Sequence, residues 1–110
     1  MAQTTTAPTA VDRLRAGGAG KVAEQFAAMR GAIDEVGPLE RKYRELINIA
    51  AFSTARIEGG FKTHCGRALE AGATPEEVRQ AVLLTFGSCL GIGPVTDALK
   101  WADDVIGSRK

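Results

Sequence analysis

The chain has 110 residues and a formal net charge of +1, which is the size of one domain with a modest core. Its charges of both signs are scattered, which argues against nucleic acid or an anionic membrane surface as a partner, and no apolar run reaches the length of a membrane span. With 45% apolar but only 5% aromatic residues, and Ala as the main small residue, the expected class is all-α rather than a β-sandwich.

The N-terminal stretch "MAQTTTAPTA" lacks the basic segment and apolar block of a signal peptide. Its polar, Thr- and Pro-rich composition predicts a disordered tail. "RAGGAG" at 15–20 reads as a flexible break. Residues 1–20 are therefore expected to be tail, and 21–110 a single helical domain. In the first helix Val22, Phe26, Met29 and Ile33 recur at helical spacing. Gly37-Pro38 is expected to end it and open the next helix, with proline near the first turn.

The second long helix spans 39–56, charged in its first half and apolar or small on every side over "LINIAAFSTA". A helix apolar all round is buried by several neighbours, so this one is expected at the centre. Gly59-Gly60 should break the chain before a third helix near Phe61, whose inward stripe is Phe61, His64, Cys65, Ala68 and Leu69. Lys62, Arg67 and Glu70 face elsewhere. Gly72 sits where a helix C-terminal glycine belongs. In "TPEEV", Thr74 is an N-cap, Pro75 the first helical residue and Glu77 the partner of a capping box. The fourth helix is expected to carry Val78, Ala81, Val82, Thr85, Phe86 and Cys89. "GIGP" at 91–94 bends the chain into a last helix with Val95, Ala98, Leu99, Ala102, Val105 and Ile106 inward. Leu83, Leu84 and Trp101 fall off these stripes, which fits burial against another subunit or further burial within one copy.

Two distant cysteines inside apolar patterns make no disulfide framework and read as reduced cytosolic thiols, so the expected location is cytoplasmic. Cys65 follows the chain's one histidine, but adjacent helix positions point about 100° apart. A small buried thiol is the simpler reading of Cys65 than a nucleophile, and of Cys89 likewise. Glu45 stands four residues after Arg41, a spacing that pairs the two on a helix surface.

The stretch from "YRELINIA" through "FKTHCGRALEAGATPEEV" to "DALKWA" resembles the carboxymuconolactone decarboxylase superfamily, which includes the alkylhydroperoxidase D-like proteins. The resemblance runs from about residue 26 to residue 105. It implies an alkylhydroperoxidase D-like bundle of about five to six helices, forming a homo-oligomer, commonly a trimer or hexamer. The peroxidase branch has a glutamate on the central helix, a Cys-x-x-Cys pair and a following histidine. Glu45 and His64 match the glutamate and histidine, whereas Ile57 and Gly60 fall at the cysteine positions. The decarboxylase branch keeps the histidine without the cysteine pair and removes CO2 from a carboxylated muconolactone without a cofactor. Members of that branch usually carry a small or hydroxyl residue in place of Glu45.

The resemblance thus implies a cofactor-free, metal-free lyase or isomerase-like enzyme for a small carboxylated or lactone substrate. His64 would be the general acid/base and Glu45 its partner. Arg44, Arg56 and Lys62 are the cations the sequence offers to a developing oxyanion. Two alternatives stand beside this one: peroxidase (peroxiredoxin-type) activity through Cys65, and a non-catalytic oligomer that binds a small molecule or a protein.

Overall fold

The computed structural model describes residues 8–109. Among them are six helices: α1 (Ala10–Ala16), α2 (Gly20–Val36), α3 (Arg41–Ala55), α4 (Glu58–Glu70), α5 (Pro75–Leu83) and α6 (Ile92–Ser108). The all-α class is therefore observed. The chain divides into two compact units, one ending at Pro38 and the other beginning at Leu39. This boundary lies within the 21–110 stretch expected as one domain.

In the first unit, the described part of the expected tail contains α1. Composition alone overlooked its cap: the Thr9 hydroxyl accepts from the Asp12 amide at 3.2 Å, and Asp12 accepts from the Thr9 amide at 3.0 Å. That reciprocal pair satisfies two orphan donors at the helix start. The remainder of the expected tail, residues 1–7, lies outside the described residues. α2 carries the expected stripe, but Val22, Phe26, Met29 and Ile33 are all exposed. It ends at Val36, and Pro38 precedes the Glu40 N-cap of α3 instead of entering that helix's first turn.

The second unit is built on the α3–α4 hairpin, with α5 packed on α3 and α6 packed on α4 and α5. Its core joins Ile49 of α3, Phe61 and Cys65 of α4, Val78 and Val82 of α5, and Val95, Ala98 and Ala102 of α6. The expected all-round burial of α3 is not realised. Glu45, Ile49 and Ser53, spaced four apart, form its buried line, while Ile47 is 55% exposed on another side. The three other helices of this unit cover only part of its circumference.

The reversal between α3 and α4 is made by Arg56, in the left-handed region at φ 60° and ψ 38°. Gly59 and Gly60 therefore do not break the chain; they lie in the first turn of α4. Gly72 has φ +99°, the conformation that ends a helix and that glycine adopts without steric cost. The Thr74–Glu77 capping box is present, with Thr74 Oγ1 accepting from the Glu77 amide at 3.1 Å and Glu77 Oε1 accepting from the Thr74 amide at 2.9 Å. The other Glu77 oxygen accepts from Lys42 Nζ at 3.2 Å, so one carboxylate caps α5 and ties it to α3. Replacing Thr74 by Ala is expected to destabilise the unit by about 1 kcal/mol. Urea unfolding followed by circular dichroism checks this.

α5 is shorter than its apolar pattern predicts. It ends at Leu83, so Thr85, Phe86 and Cys89 lie in the following turn. There Thr85 Oγ1 donates to the Val82 carbonyl at 2.6 Å, and the Thr85 carbonyl accepts from both Cys89 and Leu90. This local side-chain and turn bonding competes with continuation of the helix. Trp101 packs edge-to-face on Phe61, with centroids 5.6 Å apart, so its place off the stripe serves this core. Leu84, by contrast, is 69% exposed.

Candidate active site

The site follows from the register of the α3–α4 hairpin. Glu45 lies in the first half of α3 and His64 in the middle of α4, and the antiparallel return brings them face to face. His64 Nδ1 is 3.0 Å from Glu45 Oε1 and 3.3 Å from Oε2. An ionised carboxylate only accepts hydrogen bonds, so Nδ1 carries the proton and donates. Both side chains are largely withdrawn from solvent, His64 being 13% and Glu45 9% exposed. The expected Glu45–His64 pair is thus brought together. The surface pairing of Arg41 with Glu45 is not what forms: Arg41 instead approaches Glu70, at 3.7 Å.

Burial pushes the Glu45 carboxyl up. The hydrogen bond and charge of His64, the charge of Arg67 and a hydrogen bond from Asn48 together outweigh it and hold the group below its ordinary 4.5. The sign for stability follows. A carboxyl with a lowered folded-state pKa stabilises the fold above its unfolded pKa and loses that contribution as pH falls through the folded value. Acid unfolding of Glu45→Gln is therefore expected to show a shallower loss of stability below about pH 4.5 than the wild type. Parallel urea titrations between neutral and acid pH measure it.

His64 Nε2 makes no hydrogen bond among the described residues. No buried side-chain nitrogen or oxygen there lacks a partner, so Nε2 keeps access to solvent. One imidazole nitrogen is fixed by an acid and the other is available, which is the arrangement of an oriented general base.

The three expected oxyanion cations are engaged elsewhere. Arg44 donates to the Leu39 carbonyl at 2.7 Å, Arg56 pairs with Asp97 at 2.9 Å, and Lys62 pairs with Glu58 and Asp104. The cation that acts on the Glu45 carboxyl is Arg67, which helical phase had directed away. Arg67 lies three residues after His64, and a long side chain reaches past its own helical sector. Asn48 and Phe52 were also missed. They stand three and seven residues after Glu45, spacings that keep them on its side of α3.

Cys65 is fully buried in the core. Burial pushes its thiol up to about 11, against a smaller opposing pull from Arg109. At neutral pH it is overwhelmingly protonated, and the thiol rather than the thiolate is a poor nucleophile. Cys89 is exposed and, like Cys65, free. Among the described residues no group of three or more His, Cys, Asp or Glu side chains could hold a metal ion, and no helix is long and apolar enough to cross a membrane. An apolar groove of about 330 Å³ lies between α3 and α5, lined by Tyr43, Leu46, Ile47, Ala50 and Leu84 among others, and includes neither Glu45 nor His64.

No curated protein and no solved structure matches the chain. A family model does match, over residues 20–104, a stretch that holds Glu45, His64 and all of α2 to α5. On that match, and in agreement with its all-helical architecture, the chain belongs to the carboxymuconolactone decarboxylase family.

Proposed function

We propose that this protein is a cofactor-free lyase or isomerase acting on a small carboxylated or lactone substrate, with His64 as general acid/base. The observation that carries the reading is the 3.0 Å contact between His64 Nδ1 and the Glu45 carboxylate. In a decarboxylation the bond to the leaving carboxylate breaks, CO2 departs, and the electron pair passes into the adjoining carbonyl as an enolate. His64 in its protonated form then delivers the Nε2 proton to carbon and regains one from water. Glu45 accepts from Nδ1 during that cycle and fixes the orientation of the ring. In an isomerisation the same nitrogen removes a proton from one carbon and returns it to another.

The protein is proposed to act in the cytoplasm as a homo-oligomer, a trimer or hexamer. Support comes from the exposed apolar side of α3 and α5 and the exposed stripe of α2, since patches of this kind mark interaction surfaces. The reading is tested by incubating the protein with carboxylated muconolactones and following CO2 release and product by NMR. Turnover that disappears in His64→Gln supports it. Turnover that persists unchanged removes His64 from the chemistry.

A further inference from the structure

We propose that Phe52 is the positioning residue of this site: its ring, seated over Gly60, holds the imidazole of His64 in the plane that Glu45 requires. The inference rests on the acid/base reading of His64.

The Phe52 and His64 rings are stacked, with centroids 5.1 Å apart and planes 27° from parallel. The Nδ1 bond to Glu45 holds one corner of the imidazole and still lets the ring tilt about its Cβ–Cγ bond. A ring against one face restricts that tilt. It also sets the direction in which Nε2 is offered.

Position 60 shows what this arrangement demands. A Cβ built on Gly60 would stand 2.7 Å from Phe52 Cδ1 and Cζ, with Cε1 nearer still. These are distances at which something must move, and the obstacle is a ring wedged against His64 rather than the free end of a chain. Hairpin register explains the coincidence. Phe52 lies two turns beyond Glu45 on α3, and Gly60 lies one turn before His64 on α4. The ring therefore fills the space between the hairpin's closed end and the acid–imidazole pair. The same ring leaves no room for a thiol at position 60.

The chain's only histidine yields a single set of imidazole signals, so long-range ¹H–¹⁵N spectra report its tautomer without assignment. Spectra and urea stability are compared for wild type, Phe52→Leu, Phe52→Ala, Gly60→Ala and Phe52→Ala/Gly60→Ala. Wild type should show the Nδ1–H tautomer. Phe52→Leu, which keeps bulk without an aromatic face, should remain folded and lose that bias. Gly60→Ala should be destabilised and lose it too. Adding Gly60→Ala to Phe52→Ala should cost nothing further, because the obstructing ring is gone.

A folded Phe52→Leu with the wild-type tautomer overturns the proposal. So does a Gly60→Ala penalty that is the same with and without Phe52. Should Gly60→Ala fail to fold, Phe52→Leu alone decides. Wild type without the Nδ1–H tautomer is a separate outcome, which defeats the reading of His64 itself.

Discussion

His64→Gln is expected to lower turnover by about 10²- to 10⁴-fold, the usual contribution of a positioned general acid/base, while leaving the second unit folded. Glutamine is the informative replacement. Its longer, flexible side chain carries a neutral amide donor that can turn toward Glu45, where Nδ1–H donates at 3.0 Å, so the buried carboxylate can keep a partner. Alanine would strip that partner and leave the carboxylate with the Asn48 hydrogen bond, and a buried charged group that loses a partner costs about 1–3 kcal/mol by itself. An activity loss in His64→Ala could then be confused with unfolding. Comparable unfolding midpoints for wild type and His64→Gln, together with the fall in rate, separate chemistry from stability.

Phe61→Ala is expected to be the most destabilising single truncation in the core, by about 3–5 kcal/mol. Phe61 is 0% exposed, belongs to the cluster shared by α3, α4, α5 and α6, and meets Trp101 edge-to-face at 5.6 Å. Its removal takes apolar area out of the core and leaves Trp101 without its aromatic partner. Domains of this size have only about 5–15 kcal/mol of stability in total, so the variant should lie close to its unfolding threshold at room temperature. Urea unfolding followed by Trp101, the only tryptophan, reads the loss directly. A shift below about 1 kcal/mol would place Phe61 outside the core shared by α3 to α6, since Phe→Ala at a packed core site costs about 3–5 kcal/mol.

What the sequence made legible was local and periodic. The Thr74–Glu77 capping box and the terminal glycine at 72 are set by chemistry within a few residues, and they stand as read. The Glu45–His64 contact was legible through family resemblance, because nothing in local spacing brings residues nineteen apart together. Features that depend on competition between neighbours were harder. Thr85 carries the apolar pattern of α5 onward, yet its hydroxyl bonds back to Val82 and the helix stops at Leu83. Gly59-Gly60 looks like a break, but the turn is taken by Arg56, and glycine at 60 answers to the ring of Phe52 on another helix. The open face of α3 shows the same limit from another direction. An apolar residue such as Ile47 demands cover, but periodicity does not say whether cover comes from the same copy.

The most direct measurement of the central claim is the imidazole tautomer of His64 in wild type and in Glu45→Leu, read at neutral pH from ¹⁵N shifts. Wild type should hold its proton on Nδ1 with Nε2 free, and Glu45→Leu should lose that preference while remaining folded. A neutral wild-type imidazole with its proton on Nε2 and none on Nδ1, or a tautomer indifferent to the loss of Glu45, would contradict the account.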